Sequence, residues 1–319
     1  MTQFLLNLFY FLAGLAGLYY GAEFLIKGGV TIARKMGISS LVIGLTLVAF
    51  ATSAPELVVS VSAGLDGKPD IALGNVIGSN ICNIALILGL CGCIAPLSVD
   101  KKLFRFDLPM LIISALLLSF FCFRGAVIGF WHGALLFAGL IFYTTWSIYA
   151  SRKENSSTGE KSEEAPEKEK SLPWALFFTA LGLGLLVAGA KLFLWSAVYA
   201  AGLLKLSEAV IGLTVVAVGT SLPELATSVV AAIKGEQDIA IGNVVGSNIF
   251  NILGIIGIAP MVTPLGNYTI NIVDLGVMLG VTFALLIFMR TNWKVSRTEG
   301  ALLLLAYCGY TAYLICNHV

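Results

Sequence analysis

The sequence predicts an all-α polytopic membrane protein, ten transmembrane helices arranged as two inverted five-helix repeats, with both termini outside. Three observations predict it. Of the 319 residues, 58% are hydrophobic and 12% charged, with mean hydropathy +0.93, whereas soluble domains carry about 25% charge. Apolar runs near membrane length recur along the chain. A helix needs roughly 20 such residues to cross a bilayer, and barrel strands alternate instead. Finally, one long motif occurs twice. Ile43–Ile84 and Ile211–Ile252 align at an offset of 168 without a gap and agree at 27 of 42 positions.

The elements follow in order. Phe4–Ile26 is too long, and lacks the charged start, for a cleavable signal, so it is the first span. Leu41–Leu65 is the second, and the short tip Gly67–Asp70 folds it against the third, Ile71–Leu97. Phe106–Phe123 and Val127–Ala150 complete a first half, residues 1–150. Ser151–Lys170, SRKENSSTGEKSEEAPEKEK, is charged, without aromatics or apolar periodicity. It reads as a flexible cytoplasmic linker, residues 151–172. The second half, 173–319, holds Pro173–Ala200, Ala209–Ile233, Ile239–Val262, Ile272–Met289 and Ala301–Cys316.

The repeat runs past the motif. At an offset of 167, Asp107-Leu108 matches Asp274-Leu275, Gly133–Leu136 matches Gly300–Leu303, and Tyr143-Thr144 matches Tyr310-Thr311. Five segments per half is an odd number, so the halves enter the membrane in opposite directions. Charge supports the count. With the N-terminus outside, 15 of the 19 basic residues fall on the cytoplasmic side, and only Lys68, Arg124, Lys191 and Lys205 remain on the other, as the positive-inside rule requires. The protein is expected in the plasma (inner) membrane, multi-pass, with the lipid bilayer as its surroundings. A net charge of +1 gives no case for nucleic acid, and no protein partner is implied.

Each motif copy carries one carboxylate inside an apolar stretch, Glu56 or Glu224. Such a residue is costly in a bilayer and marks a functional site by default. Thr52, Glu56 and Ser60 stand four apart, so they share a helix face, and Pro55 removes a backbone donor beside them. The carbonyls it releases can face a cation only where broken backbone lines a cavity or is buried in protein. Thr220, Pro223, Glu224 and Ser228 repeat the arrangement. The following segments carry Asn75, Ser79 and Asn83, and Asn243, Ser247 and Asn251, at the same spacing. The Gly74/Gly78 and Gly242/Gly246 pairs permit close helix approach. Two hairpins of opposite orientation bring these stripes together near the midplane.

Carboxylates, hydroxyls and amide oxygens without His or Cys suit hard cations such as calcium. The same oxygens can hold sodium, and competition for one site with two access states gives antiport. A lone Ser or Thr in a membrane helix is more often packing, and a lone Pro only a kink. Duplication of the whole set while neighbouring apolar residues drift argues for a cation site. The six cysteines lie in or at the ends of apolar runs and read as small core residues. His132 and His318 stand outside the motif. Glu23 and Lys191 are equivalent but opposite in sign, and read as end-of-helix or interface residues.

The doubled signatures, Gly44-Leu45-Thr46 through Thr52-Ser53-Ala54-Pro55-Glu56 with Gly74-Asn75 and Gly78-Ser79-Asn80, and their copies at 212–248, resemble the alpha repeats of the sodium/calcium exchanger branch of the calcium/cation antiporter superfamily. The resemblance covers essentially the whole chain and is nearest to bacterial members. It implies that the second, third, seventh and eighth helices form the ion core, and that the first and sixth are long, tilted and slide across it. It implies calcium ligation by Glu56 and Glu224. The carbonyls of Ala49 and Ala217 and the side chains of Thr52, Ser53, Thr220, Ser221, Ser79 and Ser247 would supply further calcium or sodium ligands; Asn83 and Asn251 join the candidate set from their place in the polar stripes. It implies three sodium ions per calcium extruded, no cofactor, and no enzyme activity. Several relatives have aspartate where this chain has Asn251, and in potassium-dependent exchangers that aspartate is linked to potassium transport, so potassium coupling is disfavoured.

Alternatives remain within the superfamily and beyond it. A proton/calcium exchanger usually carries Gly-Asn-Ala-x-Glu, which Gly74-Asn75-Val76-Ile77-Gly78 lacks. An intramembrane hydrolase using Glu56 and Glu224 as acid and base would need a nucleophile or metal that no His cluster accompanies. A non-transporting scaffold leaves the duplicated carboxylates unexplained.

Overall fold

A computed structural model of the chain describes residues 2–125, 127–158, 171–203, 217–291 and 293–318, and is helical almost throughout. Residues Ile211–Val216 of the second motif copy, Lys205, and positions 159–170 of the charged stretch lie outside the described residues. The helices are α1 (Thr2–Met36), α2 (Ser40–Thr52), α3 (Ala54–Leu65), α4 (Pro69–Ile94), α5 (Asp107–Phe123), α6 (Phe130–Thr158), α7 (Leu172–Leu203), α8 (Ala217–Thr220), α9 (Leu222–Ile233), α10 (Gln237–Val262), α11 (Ile272–Arg290) and α12 (Arg297–His318). Among the described residues, seven helices are long and apolar enough to cross a membrane, and α2 with α3, bent by 46°, makes an eighth. At about 1.5 Å per residue, the 17 residues of α5 reach about 25 Å.

The breaks fall where the sequence directs. Ser53, with φ −84° and ψ 6°, separates α2 from α3, and Pro55 sits in the first turn of α3, where its missing N–H leaves no helical bond unmade. Ser221, at φ −87° and ψ 9°, repeats this between α8 and α9. Gly67 and Gly235 close the two hairpin tips with φ of +68° and +80°, left-handed values that a side chain resists.

Burial sorts the helices. The apolar window of α10 is 100% buried and that of α4 72%, whereas those of α1, α6, α7 and α12 are at most 28% buried. So α10 and α4 are the centre and the others the periphery, whose exposed Phe, Leu and Trp side chains suit a lipid surface. α2 lies directly on α10. A Cβ on Gly246 would run into the Leu45 carbonyl oxygen, and one on Gly242 would stand 2.8 Å from that of Leu41, so the two backbones touch.

Peripheral α1 and α7 pack against each other along their length, backbone to backbone. Gly14 meets Gly189, Gly21 meets Gly182, and Gly28 meets Ala175 and Thr179. Gly182 and Gly189 stand 168 residues after Gly14 and Gly21, so the repeat exchanges the first two contacts.

The loop contacts fall at two ends. At one end, Leu97 and Ser98 pair antiparallel with Val295 and Lys294, and the Gln237 side chain accepts from Ser98 N at 2.8 Å. At the other, Ile128 bridges Leu265, and Asp70 accepts from Thr269 N at 2.6 Å. Leu265 and Val295 stand 167 residues after Ser98 and Ile128, so each strand contact is, to within one residue, the repeat image of the other.

One expectation needs correction. The flexible linker read from Ser151 does not begin there, because α6 continues through Thr158. Polar contacts hold this extension: Ser39 N donates to Ser151 Oγ at 3.0 Å, Arg152 Nε to the Met36 carbonyl at 3.2 Å, and Lys102 pairs with Glu154 at 3.0 Å. A charged composition with no apolar period did not reveal partners on other segments.

Candidate functional site

Glu56 and Glu224 occupy the first turns of α3 and α9, and both are 0% exposed. Each is held by the serine at the break in the other half. Ser53 Oγ donates to Glu224 Oε1 at 2.7 Å, and Ser221 Oγ donates to Glu56 Oε1 at 3.2 Å. The second oxygen of each carboxylate, Oε2, is buried and, among the described residues, has no hydrogen-bond partner. Among the described residues, neither glutamate forms an ion pair with a lysine, arginine or histidine. Two buried carboxylates, each presenting an oxygen without a bond among the described residues, form an arrangement that can accept a cation, because an uncompensated buried charge is strongly unfavourable.

Other predicted residues surround this pair. Ser221 Oγ also lies 3.4 Å from Ser79 Oγ, whose hydroxyl can donate to it. Thr52 Oγ1 donates to Asn243 Oδ1 at 3.1 Å and lies 3.5 Å from Ser247 Oγ. The Ala49 carbonyl accepts from Ser53 N at 3.0 Å and, at 3.3 Å, is an alternative acceptor for Thr52 Oγ1. Ala217 opens the short helix α8, and Thr220 ends it half-buried.

Asn83 and Asn251 are fully buried within stretches of π-helix, Cys82–Leu88 and Phe250–Ile255. Such local widening often marks functional segments. Asn83 Nδ2 donates to Asn248 Oδ1 at 3.0 Å. Among the described residues, Asn83 Oδ1 and both amide atoms of Asn251 have no partner, so they add three buried polar atoms without bonds there.

Two asparagines do more than their place in a polar stripe announced. Asn75 Nδ2 donates to the Glu56 carbonyl at 3.2 Å and to Ser60 Oγ at 2.9 Å. Asn243 Nδ2 makes the same bonds to the Glu224 carbonyl at 3.3 Å and Ser228 Oγ at 2.9 Å. These bonds tie each carboxylate-bearing turn to the neighbouring helix of its hairpin. The repeated Gly-Asn pair was their signal. Asn80 and Asn248 also meet at the centre, Asn248 Nδ2 reaching the Asn80 carbonyl at 3.5 Å, and the repeated Gly-Ser-Asn marks them. Thr227 Oγ1 is buried and, among the described residues, has no partner. Its repeat counterpart is Val59, so duplication gave no hint of it.

The fold and site define a duplicated helical membrane protein of the ion-exchanger class. The sequence profile described as "Sodium/calcium exchanger protein" matches residues 6–149 and 174–316, and the chain belongs to that family, whose members are transporters rather than enzymes. A protein of Methanosarcina acetivorans named sodium/calcium exchanger MaX1 is 34% identical across 97% of this chain and 98% of its own length. A protein of Alkalimonas amylolytica named putative antiporter CaxA is 36% identical across 94% and 95%. A solved structure of the sodium-calcium exchanger NCX_Mj superposes with a TM-score of 0.80 at 34% identity, covering 97% of this chain and 99% of that one.

Proposed function

We propose that this chain is a sodium/calcium antiporter that extrudes calcium, three sodium ions entering for each calcium, by alternating access to one midplane site. The observation that carries the reading is the reciprocal pair of serine–glutamate bonds across the two halves. It holds two carboxylates side by side with one bare oxygen each, a charge of −2 that one divalent cation neutralises or several sodium ions replace. Glu56 and Glu224 are the calcium ligands. The side chains of Thr52, Ser53, Ser79, Thr220, Ser221, Ser247, Asn83 and Asn251, with the carbonyls of Ala49 and Ala217, supply the remaining oxygens for calcium or sodium. The names of the matched relatives and the shared fold support calcium and sodium as the exchanged ions.

The architecture that goes with this is ten spans in two inverted halves, residues 1–150 and 173–319, joined by the cytoplasmic segment 151–172, with both termini outside the plasma membrane. The sorting of loop contacts into two ends supports it.

The test is calcium uptake into sodium-loaded proteoliposomes. Uptake that requires the outward sodium gradient, ignores potassium and is lost in Glu56→Gln is expected. Uptake driven by a proton gradient alone would move the chain to the proton/calcium branch. A requirement for potassium would favour the potassium-dependent sodium/calcium exchangers.

A further inference from the structure

On α1, Glu23 holds two lysines. Lys27, one turn later on the same helix, lies 2.6 Å away. Lys234, at the end of α9 in the central helix group, lies 2.9 Å away. The second contact ties the peripheral α1–α7 pair to the core. The repeat maps Glu23 onto Lys191 of α7, and Lys234 onto Asp66 at the end of α3, both at an offset of 168. The signs are exchanged, yet the mapped pair is again one carboxylate and one ammonium. In the structure Lys191 and Asp66 are both exposed, and among the described residues neither forms an ion pair. The helix packing is unequal in the same sense. α1 lies along α9, while its repeat image, α7 along α3, is reduced to isolated approaches at most.

We infer that Glu23–Lys234 and Lys191–Asp66 are two alternative electrostatic latches, one closed in each access state. The inference rests on the alternating-access reading above. In an inverted repeat, exchanging the halves turns one facing state into the other. The state opposite to the one seen therefore has α7 against α3, with Lys191 beside Asp66. Glu23 then leaves Lys234. The two charges sit far apart on the moving pair. With Gly14 facing Gly189 and Gly21 facing Gly182, Lys191 stands level with residue 12 of α1. Eleven residues of helix, roughly 16 Å, separate that level from Glu23. One latch thus works near each end of the helix pair. The latches are not equal. Lys27 has Trp195 as its repeat counterpart, so Lys191 gains no second charged neighbour of that kind. Lys27 travels with α1 and cannot fasten α1 to the core.

The test uses the full chain in proteoliposomes, its six native cysteines replaced, carrying D66C and K191C and a short bifunctional thiol reagent. The pair is expected to cross-link. Its rate should rise roughly two- to fivefold on adding E23Q or K234Q, the range a partly exposed ion pair supports. K27Q should leave the rate unchanged, which separates a latch from a general loosening of α1. Absence of cross-linking, or a rate unmoved by both E23Q and K234Q, overturns the latches. A K27Q effect as large as that of E23Q also overturns them. Sodium-driven calcium uptake by the parent chain is measured alongside. Uptake without the cross-linking response removes the latches and leaves the antiporter. The response without uptake removes the antiporter and leaves the latches.

Discussion

Ser53, in the break of the first half, donates its hydroxyl to the Glu224 carboxylate of the second at 2.7 Å, and Ser221 returns the bond to Glu56 at 3.2 Å. Neither hydroxyl serves its own helix's glutamate. The broken helices end at the serines, so these side chains point across the interface rather than along their own turn. The site exists only where the two halves meet.

Ser53→Ala and Ser221→Ala should each weaken calcium more than they weaken folding. A hydrogen bond to a charged group contributes about 1.5–3 kcal/mol, and loss of about 1.4 kcal/mol is tenfold in affinity. The half-saturating calcium concentration for exchange should rise about tenfold in either variant. Equal calcium dependence in wild type and both variants would remove the serines from the site.

Asn243→Ala takes away one amide that donates both to the Glu224 carbonyl and to Ser228. It also moves Thr52 Oγ1 from Asn243 Oδ1 to the more distant Ala49 carbonyl at 3.3 Å. A buried group left without its partner costs roughly 1–3 kcal/mol. The variant should melt several degrees lower in detergent, and its exchange rate should fall even at saturating calcium, because the turn carrying Glu224 is no longer fixed. An unshifted melting temperature would show that the hairpin is held by other contacts.

What the sequence revealed and what it hid have a common cause. A repeat states which residues are equivalent, and equivalence made Glu56 and Glu224, their Thr-Ser-x-Pro-Glu settings and the Gly-Asn pairs legible. It does not state which residues touch. That Ser53 serves Glu224 rather than Glu56 is a fact about the interface of the halves. Likewise Gly14 and Gly21 lie at helical spacing in one segment, but their pairing with Gly189 and Gly182 depends on how two distant helices cross. Thr227 and the extension of α6 to Thr158 carry no repeated signal at all.

Asp107 and Asp274, matched in the repeat with Tyr143 and Tyr310, turn out to be partners within each half. Tyr143 donates to Asp107 at 2.9 Å and Tyr310 to Asp274 at 3.0 Å, joining α5 to α6 and α11 to α12. Tyr143→Phe should destabilise more than Tyr310→Phe. Tyr143 is 1% exposed and Asp107 8%, while the second pair is only part-buried, so water can replace the lost hydroxyl there. A cost of about 1–3 kcal/mol is expected for the first and about half that for the second. Thermal unfolding of both variants in one detergent checks the order, and a larger loss for Tyr310→Phe would contradict it.

The α1–α7 contact yields a prediction with its own control two residues away. A Cβ on Gly182 would stand 2.5 Å from Leu25 N and 2.7 Å from the Gly21 carbonyl oxygen, whereas one on Gly184 would meet nothing within 4 Å. Both residues lie in the middle of α7, so helix propensity favours alanine equally at both, by roughly 1 kcal/mol over glycine. Gly184→Ala should therefore leave stability unchanged or slightly raised. Gly182→Ala must push the helix backbones apart, and because the obstructing atoms are main chain, no side-chain rotation relieves it. Overpacking of this kind costs about 1–3 kcal/mol or more, and under the proposed alternating-access mechanism it should also slow exchange. Gly182→Ala is expected to lower both melting temperature and exchange rate, while Gly184→Ala lowers neither. Equal behaviour of the two variants would mean that α1 and α7 do not meet along Gly14, Gly21, Gly182 and Gly189.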